Sequence, residues 1–126
     1  MQIILVADDS TLMVKMLESV ITIHYGQSRI VTATSGAQAI EQWRAERPCL
    51  TILDVHMPDQ SGIEVLELIK AEDPNAKVIM LTADRHEETE AQCRRLGADA
   101  FVLKGQSAAV HAVIKDLLPQ NEGVTA

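Results

Sequence analysis

The chain has 126 residues, 47% of them hydrophobic and 23% charged, which is the size and balance of one globular domain. A net charge of −7 and only three aromatic residues (Tyr25, Trp43 and Phe101) argue against direct binding of nucleic acid, because phosphate rewards basic charge and single strands need stacking platforms. The same acidity disfavours an anionic membrane surface, and no apolar run reaches the ~18 residues that a membrane span requires.

In chain order, the apolar run Ile3 to Val6 is long enough for one buried strand and too short for a helix. It begins so soon after Met1 that no room is left for a signal peptide. Ser10 is a plausible N-cap for a helix with Leu12, Met13, Met16, Leu17, Val20 and Ile21 at helical spacing, ended by Gly26. Arg29 to Ala33 gives a second strand. Ser35 then opens a capping box with Gln38, and that helix runs to Glu46, where Arg47-Pro48 stops it.

Leu50 to Leu53 is a third strand, followed by a loop through Pro58 and Gly62. The next helix turns Val65, Leu66 and Ile69 inward and ends at Asp73-Pro74. Lys77 to Leu81 is a fourth strand. A helix from Arg85 to Leu96 carries Glu87 and Glu88 in its first turn and Arg94-Arg95 in its last, with Glu90 and Arg94 as an i,i+4 pair and Gly97 as the C′ residue. Ala100 to Leu103 is the fifth strand. Val110, Val113, Ile114 and Leu117 give the last helix an inward stripe before Pro119 ends it. Residues 1–118 therefore form one domain, and 119–126 form a polar tail. Strands alternating with helices imply right-handed crossovers and a parallel sheet covered on both faces, a five-stranded α/β sandwich.

Polar residues gather where these strands end. Asp8-Asp9 follow the first strand, Asp54 the third, Thr82 the fourth and Lys104 the fifth. The carboxyl edge of an open α/β sheet is where such folds bind ligands. Three carboxylates there repel one another unless a cation compensates, and oxygen ligands favour Mg²⁺. Metal and lysine around a phosphoryl group are the positioning and electrostatic parts of phosphoryl transfer.

These residues resemble the receiver domains of two-component response regulators, of the single-domain chemotaxis-regulator type. The resemblance spans about residues 2 to 118 and rests on Asp8-Asp9, Asp54-Val55-His56-Met57-Pro58 with Gly62, Thr82-Ala83, Phe101 and Lys104. It implies a doubly wound, flavodoxin-like sheet of order 2-1-3-4-5 with five helices. It further implies that Asp54 accepts a phosphoryl group from a sensor histidine kinase or histidine phosphotransfer protein. Mg²⁺ would be held by Asp9, Asp54 and the backbone carbonyl of His56, with Asp8 acting through water. Lys104 would pair with phosphoryl oxygens, while Thr82 and Phe101 would form the switch, Phe101 turning inward as Thr82 is drawn to the phosphoryl group. His56 and Asp84, two residues past Asp54 and Thr82, would flank the mouth and tune the phosphate lifetime. The chain would catalyse only its own phosphorylation and dephosphorylation, in the cytoplasm. It would signal to a protein partner through the face of the fourth helix, fifth strand and fifth helix, with a phosphorylation-dependent homodimer as one form of output.

The chain departs from the family pattern at Gly105, where a proline usually follows the lysine, and at Cys49 and Thr51. Cys49 and Cys93 are isolated and read as reduced thiols. A degenerate receiver that binds partners without phosphorylation is the alternative reading, against which stands the retention of the strand-end polar residues. An aspartyl-phosphate hydrolase would need a second aspartate where His56 stands, and Asp8-Asp9 would repel the phosphate of a flavin nucleotide. His24, His86 and His111 are scattered without metal-ligand spacing and read as surface or helix-end residues. Trp43 reads as core packing.

Overall fold

The computed structural model describes residues 2–83 and 86–118, apart from the side chain of Ser107. Five strands and five helices alternate: β1 Ile3–Ala7, α1 Thr11–His24, β2 Arg29–Ala33, α2 Gly36–Glu46, β3 Leu50–Asp54, α3 Gly62–Glu72, β4 Val78–Thr82, α4 Glu87–Arg95, β5 Ala100–Leu103 and α5 Ser107–Leu117. The strands pair in parallel in the order β2-β1-β3-β4-β5, as the family resemblance implied. β3 and β4 are buried along their whole length, which is why Leu50 to Leu53 and Val78 to Leu81 are continuous apolar runs rather than alternating ones.

Alternate strand residues feed two cores. On one face Ile4, Val6, Leu50, Ile52, Ile79 and Leu81 pack against Val14, Leu17 and Ile21 of α1 and Val110 and Ile114 of α5. On the other, Leu5, Ala7, Leu53, Val78, Met80 and Phe101 pack against Ala39 and Trp43 of α2, Val65, Leu66 and Ile69 of α3, and Cys93 of α4. Trp43 is core, as expected, although its Nε1 is buried without a hydrogen-bond partner, as is Thr51 Oγ1.

Local signals explain the helix starts. Ser10 Oγ accepts from Met13 N–H (3.2 Å), and Ser35 Oγ accepts from Gln38 N–H (3.1 Å). The Ser35 capping box is incomplete, because Gln38 Oε1 accepts from Thr34 N–H, one residue further back. A full box forms instead at Ser61 and Glu64, at the end of the loop that leads into α3. α1 ends at His24 with Tyr25 as its C-cap, whose N–H donates to Ile21 O, so Gly26 stands at C′ as expected, without the positive φ of Gly97. Gly97 ends α4 with φ +100°, as its C′ role requires, and Glu90 and Arg94 pair at 3.0 Å. Arg85, Pro119 and the 119–126 tail lie outside the described residues. Among the described residues no helix is long and apolar enough to cross a membrane.

Candidate functional site: an acidic pocket at the carboxyl edge

Sheet register assembles the site. Ala7 is level with Leu53, so Asp8, just past β1, lies beside Asp54 at the end of β3. Asp54 is level with Leu81, and Thr82 is level with Leu103, which brings Lys104 to the same edge. The ladders run slightly past the strand ends: Asp8 N–H donates to Ala33 O (3.0 Å), Val55 N–H to Leu81 O (2.8 Å) and Lys104 N–H to Thr82 O (2.7 Å). The backbone is therefore ordered up to the point where the side chains converge.

Lys104 Nζ lies 2.9 Å from Asp8 Oδ2 and 3.0 Å from Asp54 Oδ2. Asp8 is fully buried. Its Oδ1 accepts from Ser10 N–H (2.9 Å), and its Oδ2 has the Lys104 ammonium as its one partner among the described residues. Asp54 Oδ1 accepts from His56 N–H at 3.2 Å. Asp9 is exposed, and each of Asp8, Asp9 and Asp54 offers an oxygen within 4.8 Å of the others.

One ammonium faces three carboxylates, and the imbalance appears in the proton affinities. Burial, reinforced by the charge of Asp8, pushes the Asp54 carboxyl up to about 6, against the pull of Lys104 and the His56 N–H. Burial draws Lys104 down, but its hydrogen bonds and attraction to Asp8 and Asp54 prevail, so its pKa is raised overall. The charge that one ammonium leaves uncompensated among three carboxylates, all oxygen donors within 4.8 Å of one another, suits a hard divalent cation with bound water. The residues present thus fit Mg²⁺.

Of the other residues singled out in the sequence, Thr82 is buried at the end of β4, and His56 is exposed beside Asp54. Asp84 lies outside the described residues. Phe101 is only 4% exposed and lies in the α2–α3–α4 core. Gly105 has φ +88° with nothing within 4 Å of where a Cβ would stand, and the peptide before it is trans. The histidines are less scattered than their spacing suggested: His24 and His111 stack at 3.8 Å across the α1–α5 seam.

Comparison with known proteins agrees with this geometry. The model of the response regulator receiver domain matches residues 4–115. The chemotaxis protein CheY of Thermotoga maritima is 32% identical over 101 residues, covering 80% of this chain and 83% of that protein. The probable transcriptional regulatory protein TcrX of Mycobacterium tuberculosis is 35% identical over 101 residues, but the chain spans only 42% of its length. Among solved structures, the CheX–CheY–BeF3–Mg²⁺ complex of Borrelia burgdorferi superposes with a TM-score of 0.86 at 29% identity, covering 94% of this chain and 90% of that one. The chain belongs to the response regulator receiver-domain family, whose members are signalling switches that bind Mg²⁺ in an acidic pocket.

Proposed function

We propose that the protein is a phosphorylation-activated switch that accepts a phosphoryl group on Asp54 from a histidine kinase or histidine phosphotransfer protein. The observation that carries this reading is the position of Lys104, whose ammonium touches Asp54 Oδ2 and Asp8 Oδ2 together. Asp54 Oδ2 is the nucleophile and forms the new P–O bond, while the donor's nitrogen leaves with the electrons of the P–N bond. Lys104 stays charged and meets the incoming phosphoryl oxygens. Asp9, Asp54 and the His56 carbonyl would hold Mg²⁺, with Asp8 acting through water; the metal supplies charge neutralisation for the transferring group. Thr82 and Phe101 would carry the signal to the α4–β5–α5 face and its protein partner, or to a second copy.

The donor would dock on α1. Leu12, Met16 and Ile23 are the exposed large hydrophobics among the described residues, and all lie on α1. Beside them a cavity of about 240 Å³ is lined by Met13, Met16, Val20, Gly105 and Val110. This surface begins two residues past Ser10 and includes the residue after Lys104, so an amphipathic helix carrying a phosphohistidine would lay its apolar face here while its imidazole reached Asp54.

Incubation with a small phosphodonor and Mg²⁺ should add one acid-stable, base-labile phosphoryl group, seen by intact mass. Equal labelling of Asp54→Asn would contradict the assignment.

A further inference from the structure

We propose that Asp59 is a positioning residue of the acceptor site: by capping α2 from a distant loop, it fixes the backbone that carries His56. A helix leaves its first N–H groups without partners inside the helix. At α2 the cap residue Ser35 serves Gln38 N–H, whereas the Gly36 and Ala37 N–H groups donate to Asp59 Oδ1 (2.7 Å) and Oδ2 (2.9 Å), more than twenty residues further along the chain. These are charge-assisted bonds at the positive end of a helix. They hold the Asp59 carboxyl below the usual carboxylate range.

The contact is close as well as charged. A Cβ on Gly36 would stand 2.3 Å from Gln60 Cγ and 3.4 Å from Asp59 Oδ1, so side chains of the loop lie directly on the helix start and a larger residue at 36 would have to push Gln60 aside. The far end of the loop is pinned separately. Gly62 N–H donates to Val55 O (2.8 Å), and Ser61 Oγ also reaches Val55 O (3.3 Å). Segment 55–61 is therefore tied at Val55, Asp59 and Gly62, with His56 between the first two ties.

His56 N–H meets Asp54 Oδ1 at a long 3.2 Å, so a shift of a few tenths of an ångström in the loop would break it. The same shift would move the His56 carbonyl, which the proposed function makes a metal ligand; the inference rests on that reading for its consequence but not for the tie itself. α2 is a firm support, since Ala39 and Trp43 anchor it in the core. Asp59 thus acts on the site through backbone, as outer-shell partners of metal ligands do.

The test compares Asp59→Ala, Asp59→Asn and Ser35→Ala. Ser35→Ala also removes a cap from α2 but leaves the loop untouched. Amide exchange in metal-free protein should speed up at Gly36, Ala37 and His56 in Asp59→Ala. Mg²⁺ affinity by calorimetry should fall roughly tenfold. Asp59→Asn keeps an acceptor oxygen and should recover part of both losses. Ser35→Ala should speed exchange at Gln38 while His56 exchange and Mg²⁺ affinity stay at wild-type values. Unchanged His56 exchange in Asp59→Ala would overturn the inference. So would equal loss of Mg²⁺ affinity in the Asn and Ala variants, which would assign the effect to charge, or an equal loss in Ser35→Ala, which would assign it to helix stability. Wild-type protein that bound no Mg²⁺ would defeat the proposed function, and the exchange data would still decide whether Asp59 holds the loop.

Discussion

The two loops that flank Asp54 are held by different means. Segment 55–61 is fixed through its backbone, by the Gly62–Val55 bond at one end and the Asp59 cap on α2 near the middle. The turn at 104–106 has a glycine at φ +88° in open space, and its closing bond, Gln106 N–H to Leu103 O, is a long 3.4 Å. Lys104 itself is tied to the sheet by its N–H bond to Thr82 O (2.7 Å), and beyond that its ammonium is held between two carboxylates. The difference suits the two tasks proposed for these loops. A carbonyl ligand has no torsions of its own and must be delivered by rigid backbone, whereas an ammonium on a flexible four-carbon stem can follow a phosphoryl group as it arrives.

The largest effect is expected at Gly62. A Cβ there would stand 2.0 Å from Asp54 O and 2.9 Å from Asp54 C, both backbone atoms that cannot give way. Gly62→Ala should cost more than about 3 kcal/mol and lower the melting temperature by roughly ten degrees or more. A cost no greater than that of Gly105→Ala would break the contrast between the loops.

Lys104→Met should come next, at about 2–4 kcal/mol near neutral pH, because it leaves Asp8 buried and unpaired while Lys104 itself is partly exposed. Added Mg²⁺ should restore part of that loss, read as a larger metal-induced rise in melting temperature than in wild type. An equal rise in both proteins would show that lysine and metal do not compensate the same charge.

The pH response is smaller. Because the native Asp54 carboxyl titrates at about 6 and the ordinary value is 3.8, the folded protein binds this proton more tightly than the unfolded chain. This group therefore favours the fold at low pH, and that contribution is lost as pH rises from about 4 through 6. Metal-free wild type should gain on the order of 1–2 kcal/mol over Asp54→Asn between pH 7 and pH 4.5, while Mg²⁺ binding weakens over the same interval as protons compete. Parallel melting curves for the two proteins would contradict a raised Asp54.

The smallest effect belongs to Gly105→Ala, where space is open and only the positive φ resists. A cost of about 1 kcal/mol with Asp54 labelling intact is expected. A cost of several kcal/mol would mean that this turn is as constrained as the acceptor loop.

Much of this was legible in the sequence. Short buried strands followed by polar residues place Asp8, Asp54, Thr82 and Lys104 at one sheet edge without knowledge of any contact, because a parallel ladder puts strand ends level. The features that escaped are those made by residues far apart in sequence or by fine geometry. Asp59 reads as an ordinary turn residue until the α2 start is found against it, and His24 and His111 become neighbours only when α1 and α5 lie side by side. The Ser61 box was hidden because Pro58 and Gly62 suggest a loop, yet Gly62 opens α3 and is glycine because Asp54 O is so near.

The most direct test of the switch is amide exchange with Mg²⁺ alone and with Mg²⁺ plus beryllofluoride as a phosphoryl mimic. Slower exchange is expected at Thr82, along β5 and in the adjoining turns of α4 and α5, as Thr82 is drawn to the mimic and the packing around Phe101 adjusts. Changes confined to Asp54 and its immediate neighbours, or to α1 and α2, would contradict it and leave a receiver that binds without switching.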